Sequence, residues 1–265
     1  MKLHVNNVGV IKEGGIELNG ITVIAGQNGL GKSTLGKTLY CLYRTLYDVD
    51  NKIHSEILDQ VISVLRGNTV TNHFALFRRH MYINSAREVI RKYEETGKIS
   101  LPEEIKKSVT GSEEKEMLEN LQEVLRVPAE DIRSSLFERC IQAEFGGQLT
   151  PINRPRAKTD ILLEWGETQR VDVRKTKNGT PEIEINGQLK GDALFIDDPY
   201  MLEWMTDGYV ADAYFDRFSH RSAVIKALER DSSRDSVVGH ILAEKAWAEL
   251  EQLISEMCSG ELTES

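Results

Sequence analysis

The chain has 265 residues, of which 40% are hydrophobic and 28% are charged, proportions typical of a globular protein with a buried core. Its 33 Lys and Arg residues against 42 Asp and Glu residues leave a formal net charge of -9, which argues against a generally basic nucleic-acid coat. No apolar run approaches the roughly 18 residues that span a bilayer, and the first residues lack the apolar core of a signal peptide. The three cysteines (Cys41, Cys140 and Cys258) are too scattered for a disulfide framework. We therefore expect a soluble protein of the reducing cytoplasm.

The first 25 residues predict β-strands. Residues 2–11 form a β-rich run, and Asn19-Gly20 predicts a hairpin turn between strands at 16–18 and 21–25. Because the run 21–25 is apolar on both faces except at Thr22, it predicts a buried central strand.

A glycine-rich segment follows and matches the pattern G-x-x-x-x-G-K-[ST], the Walker A phosphate loop, without deviation. Its residues are Gly26, Gln27, Asn28, Gly29, Leu30, Gly31, Lys32, Ser33 and Thr34. Glycines let the backbone curl and aim several N–H groups at one anion, and a helix beginning near Lys32 adds the positive end of its dipole. The Lys32 ammonium can reach the β- and γ-phosphates, and the Ser33 hydroxyl can ligate Mg²⁺. The segment therefore predicts a Mg-ATP site with Lys32 as its catalytic residue and Ser33 as its metal ligand.

The rest of the chain divides by its hydrophobic period. Residues 35–46 carry a leucine stripe, 48–145 are almost entirely helical, and the period then switches to two. The later predicted elements are antiparallel strands at 161–165, 171–174 and 182–185, a short apolar strand at 193–196, and helices at 211–229 and 236–257. We expect residues 1–47 together with 146–265 to form one lobe that includes the antiparallel sheet, and 48–145 to be a helical insertion.

The segment from Val5-Asn6-Asn7 through the loop resembles the start of ABC-type ATPases of the chromosome-maintenance (SMC), RecF and overcoming-lysogenization-defect branch, many of which are described as AAA-family ATPases. Asn28 and Gly29 match the N-G pair of that branch, and the resemblance covers residues 1–47. It implies an α/β fold, namely a P-loop NTPase lobe of ABC/SMC-like type with a helical insertion and an antiparallel β subdomain. It also implies ATP and Mg²⁺ as cofactors, with ATP held between this loop and a signature loop of a second subunit. Closing of the two heads and hydrolysis would then move attached arms, nuclease modules or partner proteins.

The same family has four further elements: a Q-loop glutamine, a signature loop that opens a helix, an apolar strand ending in Asp-Glu (Walker B), and a switch histidine. Asp197 follows the apolar run 193–196 and could hold Mg²⁺ through water, with Asp198 in place of the general-base Glu. The alternative is a turn of the antiparallel sheet at Asp-Asp-Pro.

The other elements have only fragmentary candidates. Gln142 or Gln148 could be the Q-loop residue, His220 could be the switch histidine or a helix-capping residue, and 145–148 and 259–261 match parts of a signature loop without opening a helix. We therefore expect the N-terminal portion of a longer ATPase, or a member that lacks its C-terminal half.

A basic helical stretch offers a candidate nucleic-acid contact. Its basic residues are Arg78, Arg79, His80, Arg87, Arg91 and Lys92. Such a cluster could touch DNA, RNA or an acidic partner, or it could be the solvated face of a packed helix.

Three functions remain open. The first is the ATP-binding module of an ABC/SMC-like ATPase, in which ATP binding and hydrolysis drive head dimerisation, in a homo-oligomer or with an effector protein, and antiphage defence or DNA repair as the setting. The second is a small-molecule or nucleotide kinase, with Arg154, Arg156 and Arg170 as candidate lid residues. The third is a nucleotide-dependent interaction module that does not hydrolyse ATP. None of the three requires a membrane.

Overall fold

The computed structural model describes residues 1–67, 75–151, 153–154, 157–175, 179–197 and 218–224, and the side chains of the third helix from residue 80 onward. The strands are β1 (Lys2–Val8), β2 (Ile11–Glu17), β3 (Thr159–Trp165), β4 (Gln169–Lys175) and β5 (Glu182–Asn186). The helices are α1 (Lys32–Leu46), α2 (Val49–Arg66), α3 (Ala75–Thr96), α4 (Glu103–Lys106), α5 (Gly111–Leu125) and α6 (Ala129–Phe145). The chain forms two compact units, Met1–Asp192 and Ala193–Ser265, and all eleven elements lie in the first.

The sheet is antiparallel throughout, in the order β2-β1-β3-β4-β5. Its buried residues alternate along the three inner strands, as the period of two requires for a sheet with one covered face. The register places Val5 of β1 opposite Ile161 of β3 and Ile161 opposite Val173 of β4, all three buried. The strands predicted at 161–165, 171–174 and 182–185 are therefore confirmed, and the fold is mixed α/β.

The strand predicted over 2–11 is confirmed over most of its length, and the strand predicted at 21–25 is wrong. The run 2–11 does not continue as one strand but turns at Gly9 and Val10, so that β1 pairs with β2 and the hairpin predicted at Asn19-Gly20 does not form. All residues of 21–25 are described, and none lies in a strand. Val23 is 84% exposed. The run stays outside the sheet because a strand forms only where another strand bonds to its backbone. The described strands bond to one another and not to residues 21–25.

The short strand predicted at 193–196 in the second unit is also wrong. Its residues lie outside regular structure, with Leu194 and Ile196 both more than half exposed. Of the helices predicted at 211–229 and 236–257, only 218–224 are described, and 220–224 are helical.

The helices form a second hydrophobic core beside the sheet. Val61 and Leu65 of α2 pack with Val89 of α3 and with Leu121 of α5, all nearly fully buried. The stripe predicted over Ile53, Ile57, Val61 and Leu65 is thus the inner face of α2, with Ile57 only partly covered. None of the helices among the described residues has the length and apolar character that a membrane crossing requires.

Truncating Leu121 to alanine should lower the free energy of unfolding by about 2–5 kcal/mol, because the side chain is fully buried in this helical core and its removal leaves a cavity. Urea unfolding followed by circular dichroism measures the change. Glu116→Ala, at an exposed position of the same helix, is the matched control and should change stability by less than about 0.5 kcal/mol. Equal losses in the two variants would mean that this helix does not contribute to a core.

Candidate functional site

The glycine-rich loop is open to solvent on its outer side. Gly26, Gly29 and Gly31 have φ angles of 155°, 82° and 94°, which other residues rarely adopt. A Cβ built on Gly29 meets no described atom within 4 Å. The loop therefore presents its backbone to solvent in a conformation that its glycines permit.

The inner side of the loop rests on the β1–β2 turn. A Cβ on Gly31 would lie 2.6 Å from Ile11 Cγ1 and 3.2 Å from Val10 Cγ2, and one on Gly9 would lie 3.2 Å from Thr34 Cγ2. The Gly9 N–H also donates to the carbonyl oxygen of Leu149 at 2.7 Å. The turn of the N-terminal hairpin thus supports the base of the loop and the first turn of α1.

Lys32, the candidate catalytic residue, lies at the start of α1 and folds back over the loop. Its Nζ donates to the carbonyl oxygens of Gly26 at 2.6 Å and Gln27 at 2.8 Å. The ammonium group is consequently held at the mouth of the loop by two neutral acceptors. A phosphate oxygen is a stronger acceptor for a charged donor than a carbonyl oxygen is.

The N-terminus of α1 has the properties of an anion site. This helix, described over its whole length, has Gly31 as its N-cap with no side-chain hydrogen bond, and no acidic residue in its first turn. By contrast, α5 begins with a capping box between Thr110 and Glu113, which satisfies its first N–H groups. Among the described residues no side chain caps the first N–H groups of α1, so these groups and the helix dipole favour a bound anion.

Ser33 is exposed at the same end of α1, where its hydroxyl is accessible to a metal ion that bridges to a phosphate. In the described part of the chain, no group of three or more His, Cys, Asp or Glu side chains could hold a metal ion. The donor set at the loop, one hydroxyl beside an open anion site, fits a metal that arrives with the phosphate.

Ion pairs and backbone contacts hold the rest of α1 in place. Lys37 pairs with the buried carboxylate of Glu144 on α6 (Nζ–Oε2 3.6 Å), and Arg44 pairs with Asp192 at 3.3 Å. Lys52 of α2 donates to the carbonyl oxygens of Arg44 (2.8 Å) and Tyr47, and its burial lowers its pKa. The sequence gives no sign of these contacts, because no motif or periodicity marks a long-range ion pair.

The Asp197 carboxylate lies in the second unit and has two partners there. Oδ1 lies 3.0 Å from His220 Nε2 and Oδ2 lies 3.2 Å from Arg221 Nη2. Burial acts to raise the pKa of Asp197, but the hydrogen bonds from His220 and Arg221 outweigh it and hold this pKa below its ordinary value. Asp197 and His220 were separate candidates in the sequence, and the structure joins them in one cluster with Arg221. Asp198 lies outside the described residues.

The signature-like residues 145–148 form the end of α6. Gly146 is the left-handed C-cap, and its N–H donates to the Ile141 carbonyl oxygen, which the Gly147 N–H also reaches at 3.4 Å. Gln142 lies within α6 and Gln148 follows it. The segment ends a helix, whereas a signature loop opens one, and residues 259–261 lie outside the described part.

The arginines that a kinase could use as a lid do not form a lid in the part of the chain that the structure describes. Arg154 donates to Asn7 Oδ1 at 3.2 Å, and Arg170 lies within strand β4. Arg156 lies outside the described residues.

The basic stretch of α3 is partly neutralised by its own helix. Arg91 pairs with Glu95 at 2.9 Å and Lys92 pairs with Glu88 at 2.6 Å, each one turn away. His80 and Arg87 are exposed, and the side chains of Arg78 and Arg79 lie outside the described part. These ion pairs within one helix are typical of a helix face exposed to solvent.

Large apolar side chains lie exposed on and next to the loop. They are Val10, Ile21, Val23, Ile24 and Leu30, between 39% and 84% exposed. Exposed apolar side chains commonly mark an interaction site where they adjoin one another.

Comparison with known families gives a match over most of the chain. A family model described as an AAA domain matches residues 2–256. No curated protein and no solved structure matches the chain significantly.

Gly31→Ala should destabilise the chain more than Gly20→Ala. Both positions have positive φ, so both variants incur backbone strain of about 1–3 kcal/mol, but only the Cβ at 31 collides with Ile11. Urea unfolding of Gly31→Ala in the wild type and in an Ile11→Ala background forms a double-mutant cycle. We expect the second background to reduce the cost by about 1 kcal/mol; an unchanged cost would show that the hairpin turn does not press on the loop.

Proposed function

The chain belongs to the AAA domain family, and from that premise we propose that it is the Mg-ATP-binding module of an ABC/SMC-like ATPase. One observation carries the proposal: the open glycine loop leads into a helix N-terminus without acidic residues, with the Lys32 ammonium at its mouth. Three sources of positive potential, namely the backbone N–H groups, the helix dipole and Lys32, meet at one place. A polyphosphate is the ligand that such a site favours.

The loop backbone, Lys32 and Ser33 would each hold a different part of Mg-ATP. The backbone of 26–34 cradles the phosphates, and the glycines keep Cβ atoms out of that cradle. Lys32 exchanges the carbonyl oxygens of Gly26 and Gln27 for phosphate oxygens and stabilises the charge on the γ-phosphoryl group. Ser33 offers its hydroxyl to Mg²⁺. ATP supplies the γ-phosphoryl group whose transfer to water releases free energy.

Hydrolysis requires groups beyond this loop. We propose that a signature loop of a second head completes the site when two heads close around ATP, and that ATPase activity depends on this loop and on a Walker B carboxylate. The exposed apolar side chains from Val10 to Leu30 support a closing surface beside the loop, because their burial would favour association. Asp197 is a weaker candidate for the Walker B group, since both of its oxygens already have side-chain partners, His220 and Arg221.

The family resemblance also suggests the partners of the protein and the cellular process in which it acts. They comprise a second copy of the chain or an effector protein, with DNA as a further candidate, in the cytoplasm and in a defence or repair assembly. Exposed Arg87 and His80 are the described residues of α3 available for an acidic partner.

Lys32→Met should weaken ATP binding by at least about 30-fold, because it removes the charged donor that faces the phosphates at a cost of about 2–5 kcal/mol. Isothermal titration calorimetry with ATP and Mg²⁺ measures the affinity. Lys12→Met, at an exposed position on β2, removes the same charge elsewhere and should leave the affinity within about twofold. Unchanged affinity in Lys32→Met would refute the site.

Addition of Mg-ATP should double the solution mass of the chain, as measured by light scattering, if two heads close around nucleotide. At an ATP concentration that saturates only the wild type, the Lys32→Met variant should stay at its starting mass, because it binds the nucleotide more weakly. Val23→Asp, a charge on an 84% exposed side chain, should bind ATP normally but associate less. A monomeric complex with Mg-ATP that transfers phosphate to a small molecule would favour a kinase instead.

A further inference from the structure

Two cysteines that are remote in sequence meet in the core of the first unit. Cys41 on α1 and Cys140 on α6 are 99 positions apart, and their Sγ atoms lie 3.2 Å from each other. Both are present as thiols, and at most 1% of either residue is exposed. A disulfide has an S–S distance of about 2.05 Å, so the two sulfur atoms need to approach by only about 1.2 Å.

The neighbouring contacts hold the two helices in this register. One turn along each helix, Lys37 of α1 pairs with Glu144 of α6, and its Nζ also donates to the Glu144 carbonyl oxygen at 3.1 Å. Since Lys37 precedes Cys41 whereas Glu144 follows Cys140, α1 and α6 run antiparallel where they touch. The thiol pair and the ion pair therefore belong to one helix–helix interface, one turn apart. If the two helices separate and pack again, the ion pair brings the cysteines back into contact.

We propose that Cys41 and Cys140 form an intramolecular disulfide under oxidising conditions and so fasten the helix of the phosphate loop to α6. The oxidant is a small-molecule disulfide such as oxidised glutathione. The first protein thiol loses its proton and attacks this disulfide, which releases one glutathione thiol and leaves a mixed disulfide. The second protein thiol attacks the protein sulfur of that mixed disulfide, which releases the second glutathione thiol. In sum, two cysteine thiols are oxidised and one small disulfide is reduced to two thiols.

The surroundings of the two thiols determine how fast the disulfide forms. Burial, with the adjacent Cys140 as a further cause, raises the pKa of the Cys41 thiol, so little of the reactive thiolate exists in the closed interface. Glutathione cannot enter a fully buried contact either. Oxidation therefore requires transient opening of the α1–α6 contact. The disulfide forms slowly and responds only to prolonged oxidation.

The disulfide would measurably raise the stability of the first unit. A cross-link across 99 positions restricts the unfolded chain much more than the folded one, in which the two sulfur atoms already touch. Lys32 and Ser33 lie at the N-terminal end of the same helix, so the bond anchors the element that carries the phosphate loop.

The test incubates the full chain with oxidised glutathione, in buffer and in urea just below the unfolding transition. We expect intact mass to show the loss of two hydrogen atoms and non-reducing peptide mapping to join the Cys41 and Cys140 peptides, faster in urea. The oxidised chain should unfold at least about 4 °C higher than the reduced one, and a thiol reductant should reverse the change. Cys258→Ser should behave as the wild type, whereas Cys140→Ser should form no intramolecular bond.

Two results would overturn the proposal. One is a Cys258→Ser chain that stays reduced, or gains only glutathione, even in urea where the interface opens. The other is a cross-link that involves Cys258 in the wild type. Because the decisive variant keeps both buried thiols, the test does not depend on whether a substitution in the core is tolerated.

Discussion

The structure of the site depends on one steric contact, the packing of Ile11 against Gly31. Because a Cβ at position 31 would come within 2.6 Å of the Ile11 side chain, the loop and the hairpin turn approach more closely than any other residue type would permit. The turn belongs to β1 and β2, and β1 lies between β2 and β3. The position of the loop is thus tied to the antiparallel sheet, and through Gly9 and Leu149 to the segment that follows α6.

The same helix that begins at the loop is held along its length by groups distant in sequence. Glu144 and Cys140 of α6 contact Lys37 and Cys41, and Lys52 covers the carbonyl oxygens at the C-terminal end. These contacts differ in chemistry but share a consequence, since each limits movement of α1 relative to the rest of the unit. A loop that binds polyphosphate gains from such support, because a site ordered beforehand costs less entropy on binding.

The apolar segment 21–25 stands apart from this well-packed arrangement. Its composition is that of a buried strand, yet Val23 is among the most exposed apolar side chains described. A sequence pattern reports what a segment would gain by burial, and it does not report whether a neighbouring strand is present to provide it. The exposed segment is one support for the proposed closing surface beside the loop.

The sequence by itself determined the phosphate-loop motif, the helix that follows it, the helical character of 48–145 and the three antiparallel strands after it. All of these depend on local periods or on glycines at fixed spacing, which a single chain displays directly. Only the tertiary structure decided that 2–11 folds into a hairpin against the loop, that 21–25 stays unpaired, and that Asp197 joins His220 and Arg221. It also brought together Cys41 and Cys140, which lie far apart in the sequence. The physical reason is the same in each case: strand pairing, ion pairs and thiol contacts join residues distant along the chain, and no local pattern encodes the partner.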